Sequence, residues 1–236
     1  MHKQKTLTTP LLQNINTAEI CRLPPSASDF AIYFSAGPKF ETHAEETGIE
    51  LAPPTDLVYA LTFGSLVFVF LRTASEPLFG KVAKYLLSAS KASNQGRVDR
   101  FAICCFKLFA YLALSWYGYE CLKEEDWFPR ALGGTAPDAA DTLNGWPHHT
   151  TEKMRYYYGS ALAYHGHSIF YLLRDLVKGE RRNDFYEMSI HHVVTTCLIC
   201  ASHLLGFNRL GAVVLFIHDI SDICTYQIKS IVDMDR

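Results

Sequence analysis

Apolar residues are spread unevenly along the 236-residue chain. Residues 1–56 are polar and acidic on balance, broken by Pro24-Pro25 and Pro53-Pro54. Beyond them the apolar positions gather into runs at Leu57–Leu71, Phe101–Tyr119, Tyr156–Val177, Phe185–Phe207 and Leu210–Val232. A helix needs roughly 20 mainly apolar residues to cross a bilayer. The last four runs reach that length, and the flanks Ala52–Asp56 and Arg72-Thr73 extend the first to the interfaces. The pattern predicts an all-α polytopic membrane helix bundle with about five spanning helices. It divides the chain into a loosely ordered tail over 1–56, a first membrane helix over 57–73, a linker over 74–96 and a helical domain over 97–236. Inside the linker, Lys81–Ser90 has apolar positions at helical spacing and predicts a short interfacial helix. The 120–155 loop, with Gly133-Gly134, Pro137 and Gly145, is expected to be irregular.

Charge orients these elements. The formal net charge of −2 says little, but its distribution is informative. Arg72, Lys81, Lys84, Lys91, Arg97 and Arg100 make the first linker basic, and Arg174, Lys178, Arg181 and Arg182 do the same between the third and fourth runs. The 120–155 loop is rich in Asp and Glu. Basic linkers stay in the cytoplasm, which puts the N-terminus and the acidic loop on the far side and the C-terminus in the cytoplasm. No apolar core follows Met1, so no cleaved signal peptide is expected. The seven cysteines follow no disulfide framework, and Cys197 with Cys200 reads as packing in an apolar run. No nucleic-acid partner is expected.

The polar residues inside the last two runs carry the chemistry. His191 and His192 lie in one, and His218, Asp219 and Asp222 in the next. An ionisable side chain at the centre of a bilayer helix costs about 2.5–3.5 kcal/mol or more, so five in two adjacent segments point to use. Asp184 can cap the fourth helix, with Glu187 three residues on. At 1.5 Å per residue His191 lies about 10 Å from that end, and Asp222 lies at a similar depth measured back from Lys229. His218 and Asp222 share a face at i, i+4. The short link Gly206–Arg209 makes the two helices antiparallel neighbours, so His191 can meet the His218/Asp222 face, while His192 points about 100° away. Imidazole serves as base or nucleophile near neutral pH, and a carboxylate orients it. No serine elbow and no activated cysteine competes for that role. Interhelical hydrogen bonding alone is the blander explanation. His165 and His167 rank below this group as site residues, His148-His149 are expected in solvent, and His203 near the far interface. A zinc or iron site would need histidines and carboxylates like these, but the HxxxH and HxxHH clusters of membrane di-iron oxygenases are missing, so no metal is expected.

The stretch Arg181–Lys229 resembles the longevity-assurance motif of ceramide synthases in the TLC-domain family. The resemblance rests on Arg182, Asp184 and Phe185, then HHxxT (His191, His192, Thr195), Arg209-x-Gly211, HDxSD (His218, Asp219, Ser221, Asp222) and Lys229, in that order. Upstream, Trp146-Pro147 and Tyr156–Tyr158 are similar too, and the likeness covers roughly Arg97–Lys229. It implies a multi-pass protein of the endoplasmic reticulum membrane with a lumenal N-terminus. The implied activity is N-acylation of a sphingoid long-chain base by a fatty acyl-CoA, with no further cofactor. Carried over, His191 is the acyl acceptor or base, His192 supports it, and His218, Asp219 and Asp222 orient the imidazole and handle the amine proton. Arg182, Asp184, Thr195, Ser221 and Lys229 are candidate substrate-binding residues, and homo- or hetero-oligomers and membrane lipids are candidate partners. The chain departs from the family at Tyr226, where an acidic residue is usual, and by ending at Arg236 where relatives carry further membrane helices. A non-catalytic TLC-domain protein, lipid-sensing or translocon-associated, is the alternative.

Overall fold

The computed structural model describes residues 53–144, 146–179 and 185–234. They form helices α1 (Thr55–Leu86), α2 (Ala89–Ala92), α3 (Gln95–Leu122), α4 (Glu152–Lys178), α5 (Phe185–Leu204) and α6 (Asn208–Met234). No strand occurs among the described residues, so the fold is all-α. Residues 1–52 of the predicted tail, Arg182 and the Asp184 cap lie outside the described residues, and the end of that tail, Thr55 and Asp56, opens α1.

The first helix does not end at residue 73 as its apolar run implied. It continues to Leu86, winding as a π turn over Ala60–Gly64 and absorbing Pro77. This takes in most of the stretch expected to form a separate interfacial helix. Ala83 and Leu87 are buried with Val98 and Phe101 of α3, so the apolar spacing there marks a face against a neighbouring helix. Arg72, assigned to the basic linker, is likewise inside α1 and only 4 % exposed. The following helices start where local chemistry supplies caps. Asn94 accepts from the backbone N–H of Arg97 ahead of α3, and Thr151 accepts from that of Met154 ahead of α4.

Contacts between helices fix their directions. Asp56 pairs with Arg155 near the starts of α1 and α4, and Arg72 meets Tyr171 further along both, so these helices run parallel. Tyr119 stacks on Phe216 and Lys107 reaches Tyr226, which makes α3 and α6 antiparallel. His165–His192 and Tyr158–Ser202 contacts make α4 and α5 antiparallel. The five long helices therefore alternate in direction along the chain.

The bundle buries polar groups among its apolar core and exposes large apolar side chains. Ser65, Ser115, His165, His167, His192 and Asp219 are buried, while Phe63, Phe70, Trp116, Phe170, Ile190 and Ile228 are exposed. Such an exterior fits a lipid-facing surface. Two helices among the described residues, α1 and α3, are long and apolar enough to cross a membrane. The runs in α4, α5 and α6 do not reach that standard, because histidines, tyrosines and aspartates interrupt them.

The loop between α3 and α4 folds back on the bundle. Phe128 packs on Phe216, and Trp146 stacks on Phe207 while its Nε1 donates to the Leu205 carbonyl at 2.9 Å. His148, expected in solvent, is only 1 % exposed. Its backbone N–H donates to the carbonyl of Gly206 at 3.1 Å, and Nε2 lies 3.1 Å from the carbonyl of Asn144. The tryptophan anchor carries the histidine under the α5–α6 turn, where Gly206 adopts a φ of 71°. His149 does lie exposed.

Burial, reinforced by the charge of Arg209, holds the His148 imidazole below its ordinary pKa. An unfolded chain then binds the proton first, so stability present above about pH 6.5 is lost as the pH falls below it. Thermal melts in detergent at pH near 7.5 and 5.5 test this: His148→Gln should lose less midpoint on acidification than wild type, and equal losses would refute the assignment. Gly211 offers a second test. A Cβ there would collide with the Tyr158 hydroxyl and crowd Ser202, so Gly211→Ala should cost about 1–3 kcal/mol. Gly80→Ala, whose Cβ would meet only Val98 at 4.0 Å, should leave the melting midpoint unchanged or raised.

Candidate functional site

α4, α5 and α6 bring four histidines together. The rings of His191 and His218 stack with centroids 4.9 Å apart and 19° between planes. This joins α5 to α6 at one level, as the depth estimate expected. Nδ1 of His218 lies 3.5 Å from Oδ2 of Asp222, one turn on, without hydrogen-bond geometry. His192 points elsewhere, into the bundle. It is 2 % exposed, and its Nδ1 lies 3.2 Å from Nδ1 of His165 on α4. One of these two nitrogens must carry the proton for the other to accept it. His165 also faces His218 at 6.0 Å between centroids. His165, ranked below the pairs on α5 and α6 in the sequence, is thus the residue that closes the cluster. The excess of tyrosine and histidine on one face of α4 was the available signal.

The remaining predicted residues divide. Asp219 is 1 % exposed and accepts from the Tyr157 hydroxyl at 3.4 Å, so its closest described partner is a tyrosine on α4, and Oδ1 makes no hydrogen bond. Thr195 donates to the carbonyl of His191 at 2.8 Å, and Ser221 to that of His218 at 2.8 Å. Both hydroxyls are spent on their own helices and steady the backbone beneath the two stacked rings. Lys229 sits 5.2 Å over the ring of Tyr226. Lys107 approaches the same ring and donates to the Tyr226 hydroxyl at 3.0 Å. The tyrosine that replaces the usual acid therefore still engages two lysines, through its hydroxyl and its ring face. His167 lies among Phe68, Phe106, Tyr164 and Tyr171, with Nδ1 3.0 Å from the Tyr164 carbonyl.

The constellation places a half-buried imidazole, His191, where it can act as nucleophile or base, with His218 stacked on it and Asp222 beside His218. His191, His218 and Asp222 also each offer one ligand atom within 4.8 Å of the others, an arrangement a transition-metal ion can bridge. A cavity of about 110 Å³ reaches His192 from the side where α1 ends and α3 begins, lined by Arg72, Arg100, Lys107 and Tyr171 among others.

The contact between His165 and His192 should be energetically coupled. A double-mutant cycle on unfolding midpoints with His165→Ala and His192→Ala is expected to give about 0.5–1.5 kcal/mol of coupling. Additive losses would show that the pair only shares space.

Comparison with known proteins gives this arrangement a context. A family profile described as TLC domain matches residues 100–234. The chain is 31 % identical over 177 residues to ASC1-like protein 3 of Oryza sativa subsp. japonica, covering 72 % of this chain and 57 % of the relative. It is 28 % identical over 165 residues to Ceramide synthase LOH2 of Arabidopsis thaliana, covering 66 % and 52 % of the two chains. With Ceramide synthase 3 of Mus musculus it shares 28 % over 144 residues, 61 % of this chain and 34 % of the relative. The chain spans about half the length of the plant relatives it matches.

Proposed function

This chain belongs to the TLC-domain family, and we propose that it acts as a ceramide synthase, transferring a fatty acyl group from acyl-CoA to the amine of a sphingoid base. The observation that carries the reading is the stacked pair His191–His218 backed by Asp222, in a protein whose relatives bear the name ceramide synthase. In this mechanism a neutral ring nitrogen of His191 attacks the thioester carbonyl carbon. The tetrahedral adduct collapses, the C–S bond breaks and coenzyme A leaves as thiolate, giving a cationic N-acyl-imidazolium. The sphingoid amine attacks that acyl carbon, the C–N bond to His191 breaks, and the proton lost by the amine passes through His218 and Asp222 to the thiolate. The products are ceramide and the free thiol, and His191 is restored. His192, held by His165, fixes the backbone turn that presents His191. Asp219, kept by Tyr157, supports this wall of the site from α6.

The reading also proposes five crossings of the endoplasmic reticulum membrane. The alternating directions of α1, α3, α4, α5 and α6 and their apolar outer faces support it. The α3–α4 loop and the start of α1 would be lumenal, and the α1–α3 connection and the end of α6 cytoplasmic. Arg182, Asp184 and Lys229 would then lie at the cytoplasmic side, where acyl-CoA arrives. Oligomers with a second copy or a related chain fit the same reading.

Microsomes containing the chain, given a long-chain base and labelled acyl-CoA, test the activity. His191→Ala should remove it, and Asp222→Ala should lower it by about 10²–10⁴-fold, the usual contribution of general acid–base catalysis. Correctly inserted wild-type chain that forms no labelled ceramide would sink the enzyme reading, and unchanged activity in both variants would sink the site assignment. The metal-compatible geometry of His191, His218 and Asp222 supports a second reading, metal-assisted chemistry. Elemental analysis of purified protein decides between them: stoichiometric zinc or iron that His218→Ala abolishes would favour the second.

A further inference from the structure

We propose that the cavity beside His192 is a phosphate-binding subsite. On the acyl-transfer reading above, on which this part rests, it holds phosphate groups of the acyl-CoA while the thioester reaches the histidine cluster. Its walls carry three cations, Arg72 from α1 and Arg100 and Lys107 from α3. Arg100 and Lys107 are seven residues apart and so lie two turns apart on one helix face. Among the described lining residues the carboxylate is Asp175, and Arg174 already binds it with bonds of 3.0 and 2.7 Å.

Arg72 is the informative member. Its guanidinium is almost fully buried, and taking such a charge out of water is costly unless it is paired. The pairing within the chain is partial. Nε lies 3.6 Å from the Glu76 carboxylate without forming a hydrogen bond, and Glu76 itself is half-exposed. The ring of Tyr171 supports the guanidinium face at 3.5 Å, with Arg174 4.5 Å from the same ring. That stacking fixes the plane of the guanidinium and leaves its edge to a ligand. A planar fork of N–H donors matches phosphate oxygens in pairs, which a lysine at the same place would not do. A basic residue that served only to orient the helix would sit exposed at the headgroups; this one faces inward.

The size of the space agrees. At about 110 Å³ the cavity is large enough to admit a phosphate group. The same cavity is bounded by His192, so an anion bound to Arg72 lies in one cleft with that histidine. Phosphate could reach it as part of coenzyme A or as an anionic phospholipid headgroup.

The test uses the chain purified into nanodiscs of phosphatidylcholine alone, with binding of coenzyme A measured by calorimetry, and into nanodiscs with added phosphatidic acid, with the melting midpoint measured. Arg72→Gln and Arg100→Gln are compared with wild type. Arg100 is exposed, so its variant keeps the test valid if loss of Arg72 unfolds the protein. At least a tenfold rise in the Kd for coenzyme A in either folded variant is the expected result, and Arg72→Lys should restore it only in part. Unchanged coenzyme A binding together with loss of the phosphatidic-acid stabilisation would keep the phosphate site and overturn its assignment to the acyl donor. Less than a twofold effect on both ligands in both folded variants overturns the proposal. Coenzyme A binding that depends on Arg72 in a chain forming no ceramide would keep this subsite while removing the proposed reaction.

Discussion

Several large polar side chains in the middle of this bundle find their partners on another helix, and α4 supplies many of those partners. Tyr157 meets Asp219, Tyr158 donates to the carbonyl of Asn208 at the start of α6, and His165 meets His192. Tyr171 holds Arg72. With no water in a hydrocarbon layer, each of these groups left alone would cost several kcal/mol. The requirement that they meet sets the depth at which α1, α5 and α6 lie against α4. In a bilayer, packing among the exposed apolar residues would contribute little to that choice, because lipid tails are as apolar as leucine. The register of the site follows from the register of hydrogen bonds.

Much of this was legible in the sequence, because helical periodicity and depth are one-dimensional quantities. The i, i+4 relation of His218 and Asp222 and the short Gly206–Arg209 link sufficed to predict that α6 would present both to His191. The direction of His192 followed from the 100° step. What the sequence did not disclose was which of several polar faces would turn inward on α4, since tyrosine and histidine suit an interface as well as a core. His165 was ranked too low for that reason. Arg72 and Lys81–Ser90 were misplaced for another. A basic residue at the end of an apolar run looks the same whether it snorkels to the headgroups or turns into the bundle, and only the presence of α3 and Tyr171 decides. His148 was misjudged because burial of a loop depends on a distant anchor, here Trp146 against Phe207.

Tyr226 connects the site to its surroundings. A carboxylate at this position would neutralise one of the two lysines that flank it. The phenol ring engages Lys107 and Lys229 through its hydroxyl and its face and carries no charge of its own. The wall of the histidine cluster toward α3 is therefore more positive by one charge than it would be with the acid. Arg72 adds to the same side of the cleft, stacked on Tyr171 in the same manner. In both places an aromatic ring orients a cation, which keeps its charge and adds to the positive potential on this side of the cleft. A phenol at position 226, where a carboxylate would carry negative charge, leaves this side of the cleft electrostatically more favourable to a negatively charged ligand.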